Sequence, residues 1–70
     1  MRYFYEYRYN NGCYVAGHNL VDIQLHENII VLNCVDLINE DYKITFIRLE
    51  MDKICYLKIT PIKEDKNGSL

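Results

Sequence analysis

Little in this chain favours a helix, a metal, a phosphate or a bilayer. Alanine occurs once, at Ala16, and with so few strong helix formers among bulky residues the composition leans toward strands. Glycine is scarce, and Gly12, Gly17 and Gly68 stand singly, so no glycine-rich loop can cradle a phosphate. The longest apolar run is Ile29 to Leu32, far short of the roughly 20 residues a membrane span needs. A basic excess is missing too. Ten acidic residues outnumber eight basic ones, for a formal charge of -2, whereas nucleic-acid binders draw most of their affinity from a basic surface. The acids are themselves too sparse, with Glu40-Asp41 followed by Glu50 and Asp52, to imitate a nucleic acid.

Close metal-ligand pairs are also lacking. Structural zinc sites clamp the ion with pairs such as Cys-x2-Cys. Here Cys13, Cys34 and Cys55 are each separated by twenty residues, and His18 and His26 by seven. The odd cysteine count fits a reducing compartment, where the thiol packs as a small hydrophobe. Met1 leads directly into a strand pattern without the apolar segment of a secretory signal. A cytoplasmic location is the expectation.

What is present is bulky and suited to strands: seven Tyr, two Phe and nine Ile among 70 residues, half of them hydrophobic. Tyrosine occupies every second position at the start, as Tyr3, Tyr5, Tyr7 and Tyr9. A strand repeats its side-chain direction every two residues, so the four phenols share one face, with Arg2, Phe4, Glu6 and Arg8 on the other. Asn10-Asn11-Gly12 closes this strand with residues that tolerate positive φ. Cys13 to Ala16 pairs back on it, and Gly17-His18-Asn19 is expected to break the run. Val21, Ile23 and Leu25 then alternate on a buried side, with Asp22, Gln24 and His26 facing solvent.

Glu27-Asn28 reads as a tight turn before Ile29 to Val35, a dense β-branched run. A short helix within residues 20–38 is the main alternative there, since Leu25, Ile29 and Leu32 would share a helical face; β-branching weighs against it. After the polar break Asn39-Glu40-Asp41, Tyr42, Ile44 and Phe46 alternate, and then Ile47, Leu49 and Met51 take up the opposite phase. A β-bulge at Phe46-Ile47 would absorb the slip; a strand with both faces partly covered is the other solution. Asp52-Lys53 is read as a hairpin loop, and Ile54 to Ile62 as a last strand that ends at an edge because of Pro61.

The fold expected is therefore all-β or mostly β: a small antiparallel meander of four or five strands, free to curl into a partial barrel. Residues 1–62 form one small domain and 63–70 a polar, disordered tail. At this size only about 60 % of the chain's surface is buried on folding, and an uncovered sheet face calls for a partner, a second copy first of all.

Catalytic arrangements are not legible. Cys34 lies in the most apolar run, where a thiol is inert packing, and sequence brings neither His18 nor His26 to Cys13. The functional expectation is a non-enzymatic protein-binding module without cofactor or metal, acting as an inhibitor or antagonist of another protein and forming a homo-oligomer, a dimer first of all. The small free-standing products of phages and mobile elements that block host enzymes, anti-CRISPR proteins among them, offer an analogy of size and composition alone. Tyr5, Tyr7, Arg8 and Tyr9 are the candidate partner-binding residues, since rigid aromatic rows and arginine make protein hot spots. The alternative is a single-stranded nucleic-acid binder in which Tyr3, Tyr5 and Tyr7 stack bases while Arg2, Arg8 and Arg48 hold phosphates. An enzyme is a distant third. Against both stands the plain reading of the tyrosine face as one wall of the core, with Tyr3, Tyr5 and Tyr7 packed against neighbouring strands; burial of Tyr5 and Tyr7 decides between core and interface.

Overall fold

The computed structural model describes residues 2–63, so the tail expected over 63–70 lies, apart from Lys63, outside the described residues. Five strands, β1 (Tyr3–Tyr9), β2 (Tyr14–His26), β3 (Ile29–Ile38), β4 (Asp41–Glu50) and β5 (Ile54–Pro61), make one open antiparallel sheet in the order β4-β3-β2-β1-β5. Among the described residues the only helical element is a 3-10 turn, Met51–Lys53. The β-branched run at 29–35 is strand, as its branching requires.

Turn chemistry explains the first hairpins. Gly12 takes φ 99°; its N–H donates to the Tyr9 carbonyl at 2.9 Å and the Cys13 N–H to Asn11 Oδ1 at 3.0 Å. Between β3 and β4, Asn39 and Glu40 both have positive φ, 51° and 67°, the pattern of a two-residue turn whose twist matches its strands.

The link from β4 to β5 bends the whole sheet. These strands are opposite edges, four inter-strand steps of about 4.8 Å apart, so in a flat sheet they would be separated by about 19 Å. The chain from Glu50 to Ile54 spans about 14 Å at full stretch, and a 3-10 turn is shorter. The sheet must curl until the two edges converge at this end. Asn10 fastens the closure: its N–H donates to the Lys53 carbonyl and its Nδ2 to the Asp52 carbonyl, both at 2.9 Å. Asp52-Lys53 is thus no hairpin loop, because the strands it joins do not pair.

β2 is the strand that turns the corner. Its first half pairs with β1 and its second with β3, with register shifts between Tyr3 and Tyr5 on one side and between Leu20 and Asp22 on the other. The expected break at Gly17-His18-Asn19 is therefore a bend inside one 13-residue strand. Curling brings the inner faces of β1, β3 and β4 together around Tyr5, Tyr7, Leu20, Ile30, Leu32, Cys34 and Leu49, flanked by Tyr3, Tyr9, Val15, Ile47, Ile54, Leu57 and Ile59. Gly17 lies opposite Tyr5 in the β1–β2 ladder, and the Tyr5 ring covers it so closely that a Cβ placed there would be 2.5 Å from Cζ.

Two further expectations are corrected. Ile23 and Leu25 share the inner face with Leu32 and Ile30, their register partners, yet Leu25 is 68 % exposed, because the curl covers the middle of that face and leaves its corner open. Val21 is the extra residue at the β2 register shift and is exposed as well. The phase slip in β4 is not a bulge: the β3–β4 register runs without interruption from Ile29↔Glu50 to Ile38↔Asp41. Ile47 and Leu49 point inward, and Tyr42, Ile44 and Phe46 point outward.

Candidate functional site

Tyr5 and Tyr7 are 6 % and 4 % exposed, so the tyrosine row is the wall of the core. Their rings stack at 6.2 Å, and Tyr9, half-buried, meets Tyr7 edge-on at 5.5 Å. Burial pushes the Tyr5 phenol up, helped by the neighbouring Cys34 thiol, and raises Tyr7 to about 12, with Tyr9 and Tyr5 adding to the effect. The Cys34 thiol is likewise raised by burial, the opposite of what a nucleophile needs.

Arg8 projects from the other face of β1, where its ladder partners are Tyr14 and Tyr56. Its guanidinium lies 5.4 Å from the centre of the Tyr14 ring and donates to the Gly12 carbonyl at 3.0 Å. The Tyr14 hydroxyl donates to Glu6 Oε1 at 2.7 Å, and this hydrogen bond raises the Tyr14 phenol. Alternation thus separates Arg2 and Arg8 from the rings they were to flank, and Arg48 lies three strands away, opposite Val31 on β4. Among the candidate residues Arg2, Arg8 and Arg48 are exposed and Tyr3 and Tyr9 half-buried; Tyr5 and Tyr7 present no ring to a base or a protein in this fold.

The exposed apolar surface is elsewhere. The β2–β3 ladder ends at Leu20↔Cys34, so β3 and β4 continue past it as a two-stranded ribbon, and the molecule is drawn out to 42 × 23 × 22 Å. On the outer face of this ribbon the register sets Val35 beside Ile44 and Leu37 beside Tyr42, and the same face continues to Asn33 beside Phe46, where β2 joins the sheet. Leu37, Tyr42, Ile44 and Phe46 are each 60 % to 74 % exposed. A groove of about 430 Å³ continues the patch toward β2 and is lined by Arg2, Val21, Val35, Leu37 and Tyr42. The ribbon is braced from β2 by a 2.8 Å hydrogen bond from Asn19 Nδ2 to Asp36 Oδ1. Single exposed hydrophobes are ordinary; a contiguous row of four on one face is not.

Sequence reasoning missed these residues although it recorded their alternation, because it placed the candidate interface on the tyrosine row and answered the β4 phase slip with a bulge or with a strand covered on both faces. The signal that separates them is the phase slip at Phe46-Ile47: a strand apolar on both faces cannot bury both in a sheet with one covered side.

Among the described residues no group of three His, Cys, Asp or Glu side chains is arranged to hold a metal ion, and no helix is long and apolar enough to cross a membrane. No family model, curated protein or solved structure matches the chain.

Proposed function

We propose that this protein is a non-enzymatic protein-binding module, and that its binding surface is the outer face of the β3–β4 ribbon. The observation that carries the reading is the row Leu37, Tyr42, Ile44 and Phe46, held in water on one face by an uninterrupted ladder. Two of the four are aromatic, and Arg2 and Arg48 lie at the margins, the residue types that dominate protein interfaces. Isolated in solvent, such a row costs stability and solubility without serving the core. Extending the reading to inhibition, so that the bound protein is blocked by occupation of its surface, draws support from the size and composition that the chain has in common with anti-defence products of phages and mobile elements.

The test is the double variant Tyr42→Ala/Phe46→Ala. Neither ring contributes to the buried cluster, so the thermal stability of the monomer, measured in dilute solution, is expected to stay within about 0.5 kcal/mol of the parent. Binding of an apolar fluorescent dye to the native protein should drop several-fold, and a partner recovered from extracts of the native host with the parent chain should be lost. Retention of the partner by the double variant places the site elsewhere.

A further inference from the structure

From the free edge of β4 we infer that the chain forms a two-fold dimer by antiparallel pairing of β4 with β4 of a second copy, centred on Thr45. The inference rests on the protein-binding reading and names the first occupant of that ribbon.

β4 pairs on one side only, with β3. It is ten residues long and unbroken by bulge or proline, and its charges, Asp41, Lys43, Arg48 and Glu50, stand toward its ends and leave the central stretch Ile44 to Ile47 uncharged and open to pairing. The other edge, β5, is shorter and carries Lys58 and Pro61. Geometry then selects the register. A two-fold axis relating antiparallel edges must stand perpendicular to the sheet, so outer face continues into outer face and each residue meets one of its own parity.

Centring on Thr45 sets Tyr42 against Arg48 of the second copy and Ile44 against its Phe46, each pair occurring twice. The outer face gains two cation–π pairs and two aromatic–aliphatic pairs. On the inner face Asp41 meets Leu49 and Lys43 meets Ile47, with no like charges opposed. A centre between Thr45 and Phe46 would oppose Asp41 to Glu50 and Lys43 to Arg48, and would join an outer face to an inner one. Centring on Phe46 puts Ile44 against Arg48 and Tyr42 against Glu50. Centring on Ile44 shortens the ladder. The dimer leaves one continuous apolar face twice as wide.

The full chain is measured by sedimentation velocity over a range of concentrations. Ile44→Cys and Phe46→Cys chains, each also carrying Cys13→Ser and Cys55→Ser and each checked for the parent's circular dichroism, are mixed in a thiol redox buffer. Dimerisation is expected, with the disulfide forming between the two variants at least ten times more readily than within either alone. A chain that stays monomeric to millimolar concentration overturns the dimer. So does a dimer in which Phe46→Cys or Ile44→Cys couples to itself more readily than to the other, or in which none couples. A monomer that still loses its dye binding and its partner on Tyr42→Ala/Phe46→Ala leaves the protein-binding reading intact, so the two failures are distinguishable.

Discussion

Replacing Gly17 by alanine tests whether the tyrosine wall is packed as described. Gly17 does not adopt positive φ, so alanine can take its backbone conformation, and on propensity alone the change should stabilise by about 0.4–1 kcal/mol through the unfolded chain. The structure reverses that sign. A Cβ at this position would lie 2.5 Å from Tyr5 Cζ and 2.6 Å from Cε2, where carbon atoms in contact stand about 3.5–4.0 Å apart. The ring must retreat by about 1 Å, yet it is 6 % exposed and stacked on Tyr7. Overpacking of this kind costs about 1–3 kcal/mol, leaving a net loss of about 1–2 kcal/mol. A domain of this size holds only about 3–10 kcal/mol in total, and the midpoint should fall by about 5–15 °C. The assay is thermal and urea denaturation followed by circular dichroism, repeated in Tyr5→Phe and Tyr5→Leu backgrounds. Phe keeps Cζ and Cε2 in place, so Gly17→Ala stays costly there; in the Leu background the obstacle is gone and the substitution becomes neutral or stabilising. An equal cost in all three backgrounds, or none in the parent, would refute the packing described.

Leu32→Ala, at a fully buried core position, should cost about 2–5 kcal/mol, enough to leave much of the chain unfolded at 37 °C by calorimetry. Glu40→Gly should stabilise by about 1 kcal/mol in urea, because Glu40 holds φ 67° at an exposed turn position where only glycine is free of the Cβ penalty. A raised phenol binds its proton more tightly in the folded state, so its contribution is fully present below the unfolded value near 10 and is lost as pH climbs. Stability should therefore decline from about pH 10 toward 12, the value to which Tyr7 is raised. Tyrosinate absorbance should show part of the tyrosine titrating only with unfolding, and Tyr7→Phe should make the decline shallower.

The sheet was largely legible from residues that act locally. Alternation in β1, the Asn-Asn-Gly turn, β-branching at 29–35 and Pro61 at an edge each depend on a residue and its near neighbours, and each is found in the structure. What escaped depends on curl. Nothing near Gly17 announces that β2 continues through it; that follows from Tyr5 lying across it and from the change of partner at Leu20. The β4–β5 link resembles a hairpin loop until the sheet order is known. For the candidate site, alternation marks which residues share a face but not which face is covered. Tyr5 and Tyr7 on the one hand and Tyr42 and Phe46 on the other show the same period and opposite fates.

The β1–β5 ladder, which runs from Tyr3↔Pro61 to Tyr9↔Ile54, also bears on the order of assembly. The hairpins β1–β2, β2–β3 and β3–β4 join neighbours in sequence and close quickly, whereas β5 must return across nearly the whole chain to find β1, a loop closure that slows folding. Of the ladders in this sheet, β1–β5 closes over the longest stretch of chain. Until β5 arrives, the border on that side of the sheet is β1 itself, a strand without proline, in place of the β5 edge that carries Lys58 and Pro61.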